Sequence, residues 1–172
     1  ESAEIAKNLG NKRIVYSSQS ELAHVLREKG EIDEPLDTYR DLLPKWKDLG
    51  HRSAVAHELE CIAYLLVRKE EPERATTLLG AAEALRESID SVMTKNEQVE
   101  YGKELSELRT MLGEEKFNNY WGTGRVMTMD EAIRLASKNG HLEVVKVLME
   151  HPGVNPAAFG NYAIKQAAQY GH

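Results

Sequence analysis

Residues 59–66 read Leu-Glu-Cys-Ile-Ala-Tyr-Leu-Leu, and their apolar side chains recur three and four positions apart. That spacing predicts an α-helix with one buried stripe. A shift of 40 residues superimposes an earlier stretch on this one, with three matched pairs: Leu22 with Ile62, Ala23 with Ala63, and Leu26 with Leu66. The segment is therefore the second copy of an internal helical repeat.

Each copy is followed by a polar break and a second helix. The breaks read Lys-Gly-Glu at 29–31 and Lys-Glu-Glu at 69–71, and we predict the second helices at about 33–49 and 72–90. Pro35 and Pro72 lie near their first turns, where a missing amide proton removes no hydrogen bond. The repeat unit is a helix–turn–helix pair that occurs twice.

These pairs resemble the tetratricopeptide repeat. Ala23 and Ala63 match its small residue where two helices touch, and a small side chain there lets the helix axes approach closely. The other matches are Ala75, Ala82, Tyr39 and Leu79, whereas Pro35 and Leu42 depart from the pattern. The resemblance implies an all-α fold, an α-solenoid of antiparallel helix pairs whose first helices line a concave groove.

A third, degenerate helix pair follows. Thr94 and Glu97 have the spacing of a capping box, and an apolar stripe continues through Tyr101, Leu105, Leu108 and Leu112. Gly113 is predicted to end that helix, and a shorter helix then carries Phe117, Tyr120 and Trp121. Residues 78–87, Leu-Leu-Gly-Ala-Ala-Glu-Ala-Leu-Arg-Glu, together with 124–128, resemble the C-terminal tetratricopeptide array of large bacterial ATPase-type transcriptional regulators.

The last part of the chain has a different pattern. Residues 139–149, Asn-Gly-His-Leu-Glu-Val-Val-Lys-Val-Leu-Met, resemble the second half of an ankyrin repeat, and Gly171-His172 repeats Gly140-His141 after 31 residues. We therefore divide the chain into tetratricopeptide-like repeats at 1–127 and ankyrin repeats at 128–172, the second copy being incomplete. Since an ankyrin unit buries its faces on neighbours, this end is expected to continue further or to make end-to-end self-contact.

One helix at about 128–138 is predicted to belong to both repeat types. It would fix their relative orientation, because no Gly-, Ser- or Pro-rich linker separates them. Such a splice favours an engineered chimera over a natural fusion. A genomic open reading frame that spans Met127 to Gly140 would exclude the engineered origin.

Composition favours a soluble, cytoplasmic protein. The 172 residues include 28 acidic and 22 basic ones, for a net charge of −6, so we expect no nucleic-acid partner. No apolar run approaches the ~20 residues of a membrane span, and the single cysteine, Cys61, favours a reducing compartment. Acidic residues predominate before Arg125, and an acidic groove would favour a basic peptide.

The resemblance also implies candidate binding residues on the first helix of each pair. The groove positions are Ser17, Ser20, His24 and Arg27 in the first copy, and His57, Glu60, Tyr64 and Val67 in the second. Extended peptides or helices bind in such grooves through side-chain contacts. The alternative interpretation is that the chain is a fused scaffold whose groove binds no partner.

Two further motifs have both a chemical and a structural interpretation. His57 and Cys61 lie four residues apart and could share a metal ion, but two ligands make a weak site and a packed thiol is favoured. Residues 122–125, Gly-Thr-Gly-Arg, lack the strand and the Gly-Lys-Ser/Thr of a phosphate loop, and a helix-breaking turn is favoured there. We therefore expect no catalytic residue, cofactor or metal.

The sequence thus predicts a non-catalytic repeat scaffold for protein–protein interaction, engineered as a tetratricopeptide–ankyrin fusion. The alternative is a regulatory or sensor fragment of a bacterial signalling ATPase or transcriptional regulator. An enzyme is the third candidate, disfavoured because no nucleophile is paired with a base.

Overall fold

The computed structural model describes residues 11–137, and this part of the chain contains α-helices and no β-strand. Its helices are α1 (Lys12–Glu28), α2 (Asp33–Asp48), α3 (Arg52–Arg68), α4 (Pro72–Glu87), α5 (Lys95–Leu112), α6 (Glu114–Arg125) and α7 (Met129–Ser137). The predicted all-α fold is confirmed. The predicted second helices at 33–49 and 72–90 correspond to α2 and α4.

The first four helices form two consecutive antiparallel pairs. In the turn between α1 and α2, Gly30 has a φ of 92°, a left-handed conformation that favours glycine. Lys69, just after α3, forms a 2.9 Å ion pair with Asp33 at the start of α2. Arg52 at the start of α3 donates a 3.0 Å hydrogen bond to the Ser88 hydroxyl at the end of α4. Neighbouring helices therefore run in opposite directions.

The core lies mainly between α2, α3 and α4. The residues predicted from the repeat pattern to pack there are all buried: Ala23, Tyr39, Ala63, Ala75, Leu79 and Ala82. α3 contributes twelve buried residues, among them the apolar stripe of residues 59–66. Helix α4 contributes eleven more, and because burying apolar surface contributes about 25 cal/mol per Å², these two helices supply much of the core's stabilisation.

Helix α5 begins and ends where the sequence predicted. Thr94 and Glu97 form the reciprocal capping box, with Thr94 N donating to Glu97 Oε2 at 2.6 Å and Glu97 N donating to Thr94 Oγ1 at 3.3 Å. Gly113 ends the helix with a φ of 75°. Leu108 is buried, and Tyr101, Leu105 and Leu112 pack on the core as partly buried residues.

The expected helix-breaking turn at residues 122–125 is wrong, because α6 continues through Arg125. The glycines there have a packing role instead. A Cβ on Gly124 would overlap the Thr77 carbonyl of α4, and a Cβ on Gly80 would overlap the Trp121 carbonyl of α6. Without side chains at these two positions, the backbones of α4 and α6 touch directly.

Helix α7 packs on α2, α3 and α4 through buried Ala132, Leu135 and Ala136. Its last carbonyls accept hydrogen bonds from two arginines. Arg74 Nη2 donates to Leu135 O at 2.7 Å, and Arg40 Nε donates to Ala136 O at 2.9 Å. These hydrogen bonds tie the last described turn of α7 to α2 and α4.

The predicted junction helix at about 128–138 corresponds to α7. The ankyrin prediction falls mainly on residues 138–172, which lie outside the described residues, as do residues 1–10. The division at 127 and the shared-helix junction therefore stay predictions. Among the helices that the structure describes, none combines the length and apolarity needed to cross a membrane.

Candidate functional site

Helices α1 and α3 lie side by side in the same direction, and their facing surfaces form what we call the groove. Arg68 at the end of α3 donates a 3.1 Å hydrogen bond to the Arg27 carbonyl near the end of α1. The eight predicted binding residues lie on these two helices, because α1 is the first helix of one pair and α3 of the next.

The structure divides the eight predicted residues into two sets. Ser17 is exposed, and Ser20, His24 and His57 are half-buried. The other four are buried, with exposed fractions of 1% for Arg27, 2% for Glu60, 4% for Tyr64 and 5% for Val67. A partner could therefore reach the first set directly, whereas the second set is covered by the rest of the described chain.

Helix α5 supplies the partner of Arg27. Glu100 of α5 accepts two hydrogen bonds from Arg27, at 2.5 Å from Nη1 and 3.1 Å from Nη2. The Arg27 guanidinium also lies 5.3 Å from the centre of the Tyr64 ring, within range of a cation–π interaction. Burial alone would lower the pKa of Arg27, but the Glu100 hydrogen bond and charge raise it. Arg27 therefore stays charged in the groove.

A second set of charges joins the groove to α4 and α5. Glu60 accepts from Arg86 Nε at 2.6 Å and from Arg86 Nη2 at 2.8 Å. Glu97 of α5 approaches both Arg86 Nη2, at 3.5 Å, and His57 Nδ1, at 3.3 Å. Burial would raise the pKa of Glu97, but its capping hydrogen bonds and these two neighbours lower it. Glu97 is thus ionised at neutral pH.

A third glutamate of α5, Glu104, lies further along the helix. Burial raises its pKa, the charge of Glu107 raises it further, and the charge of Arg68 opposes that rise. Glu104 is buried in the described structure. The contacts therefore pair Glu97 with Arg86 and Glu100 with Arg27.

An open cleft remains between α1, α3 and the first half of α5, with a volume of about 600 Å³. The residues that line it are mostly polar ones, and the stems of their side chains contribute apolar surface: Ser20, Glu21, His24, Glu28, His57, Asn96, Glu97, Val99, Glu100 and Lys103. Three predicted groove residues, Ser20, His24 and His57, are thus brought together. Ser17 lies on a neighbouring depression that Ile14 and Glu21 also line.

Two buried ionisable groups lie behind the cleft wall. Glu58 accepts a 3.0 Å hydrogen bond from Trp46 Nε1, while its other oxygen has no hydrogen bond of normal geometry in the described structure. Burial raises the pKa of Glu58 to about 7, and the nearby Ser20 hydroxyl and His57 oppose the rise only in part. Sequence reasoning missed Glu58, although a glutamate among the apolar residues of α3 was a usable signal.

Cys61 is the other buried group. Its Sγ lies 3.7 Å from His57 Nε2, and burial raises the pKa of the thiol. A hydrogen bond with Cys61 is the main cause that raises the pKa of His24. The predicted packed thiol is confirmed, and the described residues contain no group of three or more His, Cys, Asp or Glu side chains that could hold a metal ion.

Comparisons with known proteins show one distant likeness. No protein-family profile matches the chain, and no solved structure matches it. The chain is similar to proteins named HTH-type transcriptional regulators from Mycobacterium bovis and from two strains of Mycobacterium tuberculosis. Each is 28% identical over 116 residues, which make up 67% of this chain and 13% of the relative. The chain thus spans about an eighth of the length of these relatives.

Proposed function

We propose that the chain is a non-catalytic helical scaffold for protein–protein interaction, and that the groove between α1 and α3 receives a segment of a partner protein. The observation that carries this proposal is the cleft of about 600 Å³, because three of the groove residues expected from the sequence lie on its wall. A resemblance to the tetratricopeptide repeat supports it further.

The chemistry of the cleft suits a polypeptide better than a small metabolite. Small-molecule sites are usually enclosed and mostly apolar, whereas this cleft is open to solvent and lined by hydroxyl, imidazole and carboxylate groups. Val99 stands at its edge with 76% of its surface exposed. Such a mixture of polar contacts and one apolar contact fits a peptide or helix lying along the groove.

The test compares capture of a partner by the wild-type chain and by two variants. Ser20→Arg places a long side chain in the cleft, while Asn118→Arg makes the same change on the exposed face of α6. A photo-crosslinker at Ser17 then identifies what lies against the groove. We expect one protein to crosslink to the wild type and to Asn118→Arg, and its yield to fall at least about tenfold in Ser20→Arg. Equal yields from both variants would contradict the proposal.

A second candidate function is supported by the mycobacterial likeness. Since the similar segment is a small part of proteins named HTH-type transcriptional regulators, we propose as the alternative that this module is the regulatory part of such a protein. The partner segment would then belong to, or control, the remainder of that protein. Replacing the module in a mycobacterial relative by this chain, and measuring expression of a reporter gene, tests the alternative. A reporter that responds equally with and without the module would contradict it.

A further inference from the structure

Helices α1 and α3 are equivalent parts of the internal repeat. Each contains 17 residues, and the bounds of α3, Arg52–Arg68, follow those of α1, Lys12–Glu28, after a shift of 40 residues. The turns that follow also correspond, because Gly30 N and Glu70 N each donate to the carbonyl oxygen three residues earlier, at 3.0 and 3.1 Å. The surroundings of α3 therefore indicate what the corresponding surface of α1 fits.

One face of α3 is directed at α2, the second helix of the preceding pair. Glu58, Ile62 and Leu65 have the spacing i, i+4, i+7, which places them on one side of the helix. Glu58 accepts its 3.0 Å hydrogen bond from Trp46 of α2, and the two helices pack along each other. The exposed fraction is 1% for Glu58 and 0% for Ile62 and Leu65. This face of α3 is thus fully covered.

The corresponding face of α1 is exposed. The counterparts of those three residues are Ser18, Leu22 and Val25. Leu22 is 60% exposed and Val25 43%, and Ile14, one turn before Ser18, is 45% exposed. The four positions lie along one side of α1, and we call them the outer stripe. In the part of the chain that the structure describes, no helix covers Leu22 and Val25 as α2 covers the same face of α3.

Two further observations indicate what the outer stripe fits. A stack of repeats ends in units whose outer face is polar, because that face meets water, whereas the outer stripe has three large apolar side chains. The sequence before α1 also matches the sequence before α3. Leu9-Gly10 corresponds to Leu49-Gly50, and Leu49 is the C-cap of α2, followed by Gly50 with a φ of 68°. The pattern that ends α2 is therefore present immediately before α1.

We propose that the outer stripe docks an amphipathic helix equivalent to α2, the second helix of a further pair of this repeat, packed on α1 as α2 packs on α3. The described pairs then form the inner part of a longer array, in which each pair buries its face on the one before. This inference does not depend on the proposed function, because none of the stripe residues lines the cleft.

A fluorescent peptide that copies residues 31–50 is the probe, and the full chain is the host. Fluorescence anisotropy compares the wild type with Leu22→Glu and with Val99→Glu. Val99 is the matched control, since it is an apolar residue of α5 with 76% of its surface exposed. We expect Val99→Glu to bind as the wild type does and Leu22→Glu to bind at least about tenfold more weakly, because a buried carboxylate opposes apolar packing. Urea unfolding checks that both variants are folded.

A second peptide, with alanine at the position of Trp46, tests the register on the wild-type host. Position 18 of α1 corresponds to position 58 of α3, which contacts Trp46, so the tryptophan of the bound peptide should lie beside Ser18. We expect its replacement to weaken binding at least about tenfold, since a large aromatic side chain contributes much of the buried area in such a contact. This comparison needs no substitution in the host.

Three results would overturn the inference. They are equal affinity of the wild type and Leu22→Glu, equal affinity for the two peptides, or weaker binding by Val99→Glu, which would place the peptide in the cleft. Analytical ultracentrifugation of the full chain tests the other occupant. A dimer that Leu22→Glu converts to a monomer would show that a second copy of the chain covers the stripe, and the proposed occupant would then be wrong.

Discussion

Glu58 is the residue at which a local sequence pattern and the folded structure conflict most. It occupies a position of α3 between Val55, Leu59 and Ile62, all of which are buried. Its carboxyl group has one hydrogen bond, from Trp46, and burial raises its pKa from 4.5 to about 7. The folded protein therefore binds a proton here more tightly than the unfolded chain does.

Stability should consequently fall as pH rises. Below pH 4.5 the Glu58 carboxyl is protonated in both states and has no effect, whereas between 4.5 and about 7 the unfolded state loses its proton first. We expect Glu58→Gln to be more stable than the wild type by roughly 1–3 kcal/mol at pH 8 and to lose most of this advantage at pH 5. Urea unfolding at the two pH values measures it, with the exposed Glu107→Gln as control. Parallel pH profiles of the wild type and Glu58→Gln would contradict the prediction.

The glycines of α6 allow a matched test at the level of a helix–helix contact. An added Cβ on Gly124 would overlap the α4 backbone, while at Gly122 it would meet no atom within 4 Å. We expect Gly124→Ala to lower the free energy of unfolding by about 1–3 kcal/mol or more. Gly122→Ala should raise it by about 0.5–1 kcal/mol, because alanine is the better helix former. Chemical denaturation gives the free energy of unfolding of both variants. If the two substitutions destabilise the protein equally, the close backbone contact between α4 and α6 at Gly124 is absent.

The last described turn of α7 receives hydrogen bonds from side chains of other helices. Buried Arg74 donates to the Leu135 carbonyl and also pairs with Glu71 at 2.8 Å. We expect Arg74→Met to destabilise the protein by about 1.5–3 kcal/mol, as removal of a charged donor leaves a buried carbonyl unsatisfied. Hydrogen exchange at residues 132–137 should rise more than exchange in α1. Arg40→Met, which removes a single hydrogen bond from a half-buried arginine, is expected to have the smaller effect.

The elements themselves were largely predictable from the sequence. Pro72, Thr94 and Gly113 marked helix ends correctly, because caps and turns are set by backbone groups within a few residues. The turn predicted at Gly122 and Gly124 was wrong for a related reason. Glycine disfavours a helix locally, and the close approach to Thr77 that requires it depends on a residue 47 positions earlier in the chain.

At the scale of the whole molecule, the order of local stability follows from the distribution of burial. α3 and α4 contain most of the fully buried side chains, whereas α5 has two buried residues. We expect amides of α3 and α4 to exchange through global unfolding. Those of α5 should exchange through a local opening whose free energy is smaller than that of global unfolding. Mass-spectrometric hydrogen exchange at several denaturant concentrations distinguishes the two regimes. Equal free energies in all helices would show a single cooperative unit.

The candidate site was predictable only in part. The resemblance to the tetratricopeptide repeat implied which helices line a groove, and the structure places Ser20, His24 and His57 on the wall of one cleft. It could not identify the helix that covers Arg27, whose partner Glu100 lies 73 residues away. Charged residues of this kind are assigned to solvent by sequence reasoning, since nothing in their local pattern separates a buried ion pair from an exposed one.

The placement of Cys61 has a practical consequence for anyone who follows the groove in solution. It is the single sulfhydryl of the 172 residues and is 1% exposed at the groove floor, beside His57. A thiol reagent such as an aromatic disulfide can react there only while the surrounding helices separate. The native sequence therefore carries its own chemical reporter. The rate at which the coloured thiolate is released measures how often Cys61 becomes exposed to solvent.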